Sequence, residues 1–111
     1  MTEREVRPGD VWFVDFDPVR GHEQGKDRPA LVVSSYFHLE ITGGSLVAVL
    51  PLTSRERPGW LHRIRIAGAG GWVITEQPRT VSAQRFRRPA PELAPTGAEL
   101  AEVRRVLARM F

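Results

Sequence analysis

The sequence predicts a mainly β domain of the α+β class: a small barrel closed at one end by a C-terminal helix. Short apolar runs separated by glycine, proline and other turn formers point to about five strands. One of them, from His62 to Ala67, alternates Arg63 and Arg65 with Ile64 and Ile66, the pattern of a half-exposed strand with two arginines on one face. The helix is marked by Thr96-Gly97-Ala98-Glu99, a capping box with Thr96 as N-cap and Glu99 three positions on. With 111 residues there is room for one domain and one modest core, so residues 1–111 are expected to form a single unit, the barrel over about 7–90 and the helix over about 97–109.

Each element has a local reason. Pro8-Gly9 punctuates the start, and Val11 to Phe16 is rich in aromatic and β-branched residues, as strands are. Asp17 to Pro29 is a loop of turn formers. Ala30 to Ser34 is short and mostly apolar, which suits a strand buried on both faces. Gly43-Gly44 breaks the chain before a further apolar strand, Ser45 to Leu52, and Arg55 to Gly59 is a turn. After the His62–Ala67 strand, Gly68 to Gly71 turns the chain into a strand over Trp72 to Glu76. Thr80 to Phe86 fits a short strand or a single helical turn. In the last segment Leu100, Val103, Val106, Leu107 and Met110 recur at helical spacing, giving one apolar stripe from about Gly97 to Arg109.

Composition narrows the chemistry. No apolar run approaches the roughly 20 residues needed to span a membrane, and the N-terminus lacks the basic-then-apolar order of a signal peptide, so the cytoplasm is the expected location. Without cysteine there is no disulfide framework or thiol chemistry. His22, His38 and His62 are scattered rather than set at metal-ligand spacing, and neither a phosphate-cradling Gly-Lys loop nor a dinucleotide fingerprint is present, so no metal and no cofactor is expected. The net charge is only +3, but fifteen of the sixteen bases are arginine, whose planar fork suits phosphate. A coding bias toward arginine explains such an excess equally well. The distribution says more: Arg55, Arg57, Arg63 and Arg65 form one cluster, and Arg79, Arg85, Arg87 and Arg88 another.

The densest information lies between Gly9 and Ser34, which reads as strand, polar loop, strand, with Glu23 inside the loop and Arg28-Pro29 at its end. Pro51-Leu52-Thr53-Ser54 closes a later strand. On residue type alone, Glu23 and Arg28 fit a salt bridge within a loop, and Thr53 fits a strand-end residue bonded to nearby backbone. Thr75-Glu76-Gln77-Pro78-Arg79 fits polar cross-strand pairs. Taken in order, these motifs resemble the MazF/PemK (Kid-type) toxin family, small ribonucleases of bacterial type II toxin–antitoxin pairs, from about Arg7 to the last helix. The likeness departs at Glu76, where aspartate is common, and at Pro78, where an apolar residue is usual and which cannot donate to a sheet ladder.

The resemblance implies an SH3-like barrel and a homodimeric endoribonuclease that cuts single-stranded RNA, mRNA above all, without a metal. The implied products are a 2′,3′-cyclic phosphate and a 5′-hydroxyl, and the implied inhibitor is a cognate antitoxin whose acidic segment covers the basic groove. It makes Arg28 and Thr53 the catalytic pair, with Glu23 the accompanying base or orienter. His22, Gln24, Lys26, Arg55, Gln77 and Arg79 are the expected RNA contacts. Trp12 and Trp72, inside strand patterns, are expected in the core, and His38 and His62 are expected to be structural. Trp60, after Pro58-Gly59, is placed either to stack on a base or to hold the antitoxin. Two other readings fit the scaffold: a gyrase-binding toxin, and a non-catalytic module that binds nucleic acid or peptide.

Overall fold

The structure, a computed structural model, describes residues 5–16 and 27–111. Among the described residues, seven antiparallel strands form one curled sheet: β1 (Val11–Val14), β2 (Arg28–Val32), β3 (Leu46–Thr53), β4 (Arg63–Ile66), β5 (Gly71–Ile74), β6 (Arg79–Ser82) and β7 (Phe86–Pro89). Their order across the sheet is β4-β5-β3-β2-β1-β7, with β6 paired to β3 alone. Two helices accompany it, α1 (Tyr36–Ile41) and α2 (Gly97–Met110). The sheet curls without closing, because among the described residues β4 and β7 are its two ends and no ladder joins them. The barrel is therefore an open one. Among the described residues, no helix is long and apolar enough to cross a membrane.

β3 is the spine. Leu46 to Val49 pair with β6, Val49 to Pro51 with β2, and Leu52 and Thr53 with β5. Pro51, which has no N–H, sits where the strand changes partner from β6 to β5. A proline is tolerated in a sheet at such an irregularity, and the handover lets one strand serve both halves of the sheet.

Side-chain alternation then builds two cores. Leu31, Leu50, Leu52, Ile64, Ile66 and Val73 face the first, which α2 seals with Val103 and the partly buried Leu100, Val106 and Leu107. Ala30, Val32, Val47, Val49, Trp12 and Phe86 face the second, covered by Val6, Phe16 and Leu39. Trp12 meets Phe86 edge to face, with ring centroids 5.5 Å apart. The apolar run from Ala30 thus feeds both cores, as its composition predicts.

Three elements differ from the sequence reading. The expected Thr80–Phe86 element is two things in turn, the strand β6 and a 3-10 turn over Ala83–Arg85, and a seventh strand follows. Pro78 lies in the link between β5 and β6, outside both ladders, so its missing donor costs nothing. α1 was not foreseen: it is six residues long, none of them buried. Its signal is Ser35, whose side chain caps it by accepting from His38 N–H at 3.0 Å. His38 in turn hydrogen-bonds Ser34 at 2.7 Å, so it is structural as expected.

The capping box forms as the sequence indicates. Thr96 Oγ1 accepts from Glu99 N–H at 3.1 Å, and Glu99 Oε1 accepts from Thr96 N–H at 2.8 Å. Glu99 Oε2 also accepts from Ala67 N–H at 3.0 Å, tying the start of α2 to the 3-10 turn after β4. These two backbone donors, Ala67 first and Thr96 second, hold the Glu99 carboxyl below the ordinary glutamate value of 4.5. Because folding lowers this pKa, the stabilisation is complete above the ordinary value and is lost as pH falls through the folded one. Glu99→Ala should therefore cost about 1 kcal/mol at neutral pH. Urea midpoints should show the gap to wild type narrowing below the ordinary value of 4.5.

Candidate active site

The register of the sheet brings Arg28 and Thr53 together. Ala30 pairs with Pro51, Leu31 with Leu50 and Val32 with Val49. Carried two residues further along both strands, the same register sets Arg28, the first residue of β2, across from Thr53, the last of β3. Each is anchored on its other side, Arg28 by Val14 and Thr53 by Trp72. The two meet from distant sequence because Arg28 opens its strand where the antiparallel β3 ends at Thr53.

Both line one open cavity of about 300 Å³. Its polar lining is Arg28, Thr53 and Ser54, and its apolar lining is Pro29, Leu52, Ala69 and Leu93. Thr53 Oγ1 accepts from Arg55 N–H at 3.1 Å, the local backbone bond expected of a strand-end threonine. That bond fixes the oxygen and leaves the hydroxyl hydrogen available to donate elsewhere. Arg28 is exposed and contributes a planar fork of donors to the cavity. Gly71 completes the wall: a Cβ there would lie 2.5 Å from the Thr53 carbonyl oxygen, so only glycine permits the approach of β5. Sequence reading took Gly68 to Gly71 as a turn, and nothing in residue type reveals that close contact.

Other expected residues distribute as follows. His22, Glu23, Gln24 and Lys26 lie outside the described residues. Arg55 sits in the exposed segment following Thr53. Gln77 and Arg79 are exposed but do not line the cavity. Arg79 opens β6 opposite Val49, four residues back along β3 from Thr53, a distance of about 13 Å at the usual strand rise. Its guanidinium rests 4.8 Å above the Phe16 ring.

The arginine clusters are less uniform than their sequence suggests. Arg63 is largely buried and committed to Glu76, with Nη2 at 2.7 Å from Oε2. That hydrogen bond is the main cause holding the Glu76 carboxyl below its ordinary range. His62 Nε2 lies 3.5 Å from the same carboxylate and its ring stacks on Trp60, while Thr75 donates its hydroxyl to the His62 carbonyl. Arg57 and Arg63 both lie over the Trp60 ring. Trp60 is therefore a packed, half-open ring within a charged cluster. Arg87 bonds Asp15 at 2.9 Å and approaches Asp27 at 3.8 Å, pinning the residue that precedes Arg28. Trp12 is core, but Trp72 is only half-buried, on the outer face of β5. Among the described residues no group of His, Asp or Glu is placed to hold a metal ion.

A family model described as PemK-like, MazF-like toxin of type II toxin-antitoxin system matches residues 7–111. The chain belongs to the PemK/MazF-like toxin family. Within that family it is 32% identical over 107 residues to Endoribonuclease MazF9 of Mycobacterium tuberculosis, covering 88% of this chain and 89% of the relative. Endoribonuclease EndoA of Bacillus subtilis is 31% identical over 86 residues, covering 73% and 74%. Among solved structures, a chain of the MazE–MazF complex of Deinococcus radiodurans is 31% identical with a TM-score of 0.74, covering 95% of this chain and 94% of that one. The open, curled sheet with a C-terminal helix is thus the fold of this PemK/MazF-like family.

Two consequences can be measured. Gly71→Ala should cost about 1–3 kcal/mol through overpacking and displace the backbone at Thr53, seen as shifted Thr53 and Trp72 amide resonances; unchanged resonances would refute the contact. Glu76→Ala leaves the Arg63 guanidinium, whose side chain is 9% exposed, without its partner. The loss should be below the about 3–5 kcal/mol of a fully buried pair, because 29% of the Glu76 side chain is open to water; a denaturation midpoint equal to wild type would rule it out.

Proposed function

We propose that this chain is the toxin of a type II toxin–antitoxin pair and acts as a metal-independent endoribonuclease on single-stranded RNA. The observation that carries the reading is the meeting of Arg28 and Thr53 on one cavity at adjoining strand ends. Support comes from relatives that are themselves named endoribonucleases.

The ribose 2′-hydroxyl is an internal nucleophile beside its own phosphorus. Its oxygen attacks, the 2′-O–P bond forms, and the P–O5′ bond breaks. The 2′ proton goes to a base, for which Glu23 is the best candidate, and the departing 5′-oxygen takes a proton from Arg28, which water then restores. Arg28 places its fork on the phosphoryl oxygens, where charge develops, and Thr53 donates its hydroxyl to the same group. A guanidinium is too weak an acid or base to carry the first proton step, so charge stabilisation is its main role. The products are a 2′,3′-cyclic phosphate and a 5′-hydroxyl. His22, Gln24, Lys26, Arg55, Gln77 and Arg79 supply RNA contacts, Arg79 from a point about 13 Å along β3 from Thr53.

The toxin works in the cytoplasm as a homodimer, on mRNA, and so arrests translation. A cognate antitoxin holds it inactive by laying an acidic segment on the basic surface. The similar chain from Deinococcus radiodurans belongs to a MazE–MazF complex.

Protein freed of antitoxin, incubated with a long single-stranded RNA in EDTA, should give discrete fragments with 5′-hydroxyl ends. Arg28→Ala should slow cutting by about 10²–10³-fold, the usual cost of losing one transition-state donor. Thr53→Ala should also slow it, and 2′-deoxyribose before the scissile phosphate should stop it. Intact RNA with a well-folded wild type would overturn the ribonuclease reading.

A further inference from the structure

A row of side chains runs from the catalytic pair across the outer face of the sheet. Thr53 on β3 pairs with Trp72 on β5, and Trp72 pairs with Arg65 on β4. Directly paired residues project from the same face of a sheet. The opposite face of these strands carries Leu52, Val73, Ile64 and Ile66 into the core, so Thr53, Trp72 and Arg65 look outward. With strands about 4.8 Å apart, Trp72 stands about 5 Å from Thr53 and Arg65 about 10 Å.

The two outer residues are already assembled. The Arg65 guanidinium lies over the Trp72 ring, 4.9 Å from its centroid. Unlike Arg63, bound to Glu76, and Arg87, bound to Asp15, Arg65 has no carboxylate at ion-pair distance among the described residues. Its charge is felt by Glu99 only at longer range. An exposed cation on a partly buried indole offers a donor fork and a flat stacking surface, the two things an unpaired nucleotide requires.

The geometry points to Trp72 and Arg65 as a binding subsite for the nucleotides flanking the scissile phosphate. It rests on the ribonuclease reading and deepens it. Arg65 takes a phosphate oxygen, and a base stacks on the Arg65–Trp72 pair. At about 3.4 Å per nucleotide in a stacked strand, the row spans the two or three positions next to the cut. The pair raises affinity and sets the preferred flanking sequence, leaving the chemical step to Arg28 and Thr53.

The test compares wild type, Arg65→Ala and Trp72→Phe on oligonucleotides carrying the mapped cut, with flanks trimmed one nucleotide at a time. Arg65→Ala should raise KM about five- to tenfold on the long substrate with kcat little changed, and lower the salt slope of binding by about one. Trp72→Phe, which keeps a ring, should retain most of the affinity. On a substrate trimmed of the flank, Arg65→Ala and wild type should coincide. Equal KM on long and trimmed RNA, or an altered oligomeric state at unchanged RNA affinity, would overturn the subsite. If wild type itself leaves every substrate intact, the ribonuclease reading fails instead.

Discussion

Everything in this molecule hangs on the hydrogen bonding of β3. One eight-residue strand is shared among β2, β5 and β6. A strand of regular sequence, flanked on one side by a single partner, would leave half the sheet without an anchor. Pro51 sits at the change of partner from β6 to β5, and that handover ties both halves of the sheet to one strand. Because β3 ends at Thr53 with β2 on one side and β5 on the other, its terminus becomes the point where residues from three strands converge.

The energetics divide along the same line. Inward alternation from β3 and its neighbours fills two cores, so the framework is held mainly by apolar burial. The polar contacts are fewer and more local: Glu99 across the helix start, Arg63 with Glu76, Arg87 with Asp15. Each fixes a loop or strand end rather than the body of the sheet. That arrangement puts a rigid scaffold beneath an exposed, positively charged rim, which suits a large, flexible anionic ligand better than a small enclosed one.

Much of this was legible in the residues. The capping box, the doubly buried run from Ala30 and the alternation around Ile64 follow from short-range rules of periodicity and local hydrogen bonding. Arg28 and Thr53 were singled out by ordered motifs, and strand register explains why they meet. What stayed hidden depended on distance in sequence. Gly71 looks like any turn glycine until Thr53 is folded against it. Arg63 and Arg65 look equivalent until one finds Glu76 and the other Trp72. Trp72 has the composition of a core residue, yet the pleat turns it outward. Helix α1 is too short for periodicity to reveal, and none of its residues is fully buried.

The bond from Glu99 to Ala67 has a bearing on the order in which the chain comes into being. Ala69 and Leu93 line the cavity, and the turn holding Ala69 is fastened to a helix that lies later in the chain than β2 and β3. On a ribosome the two key strands emerge first, while the wall beside them waits for the helix. An enzyme built this way acquires its working shape only once that later helix has been made and has docked.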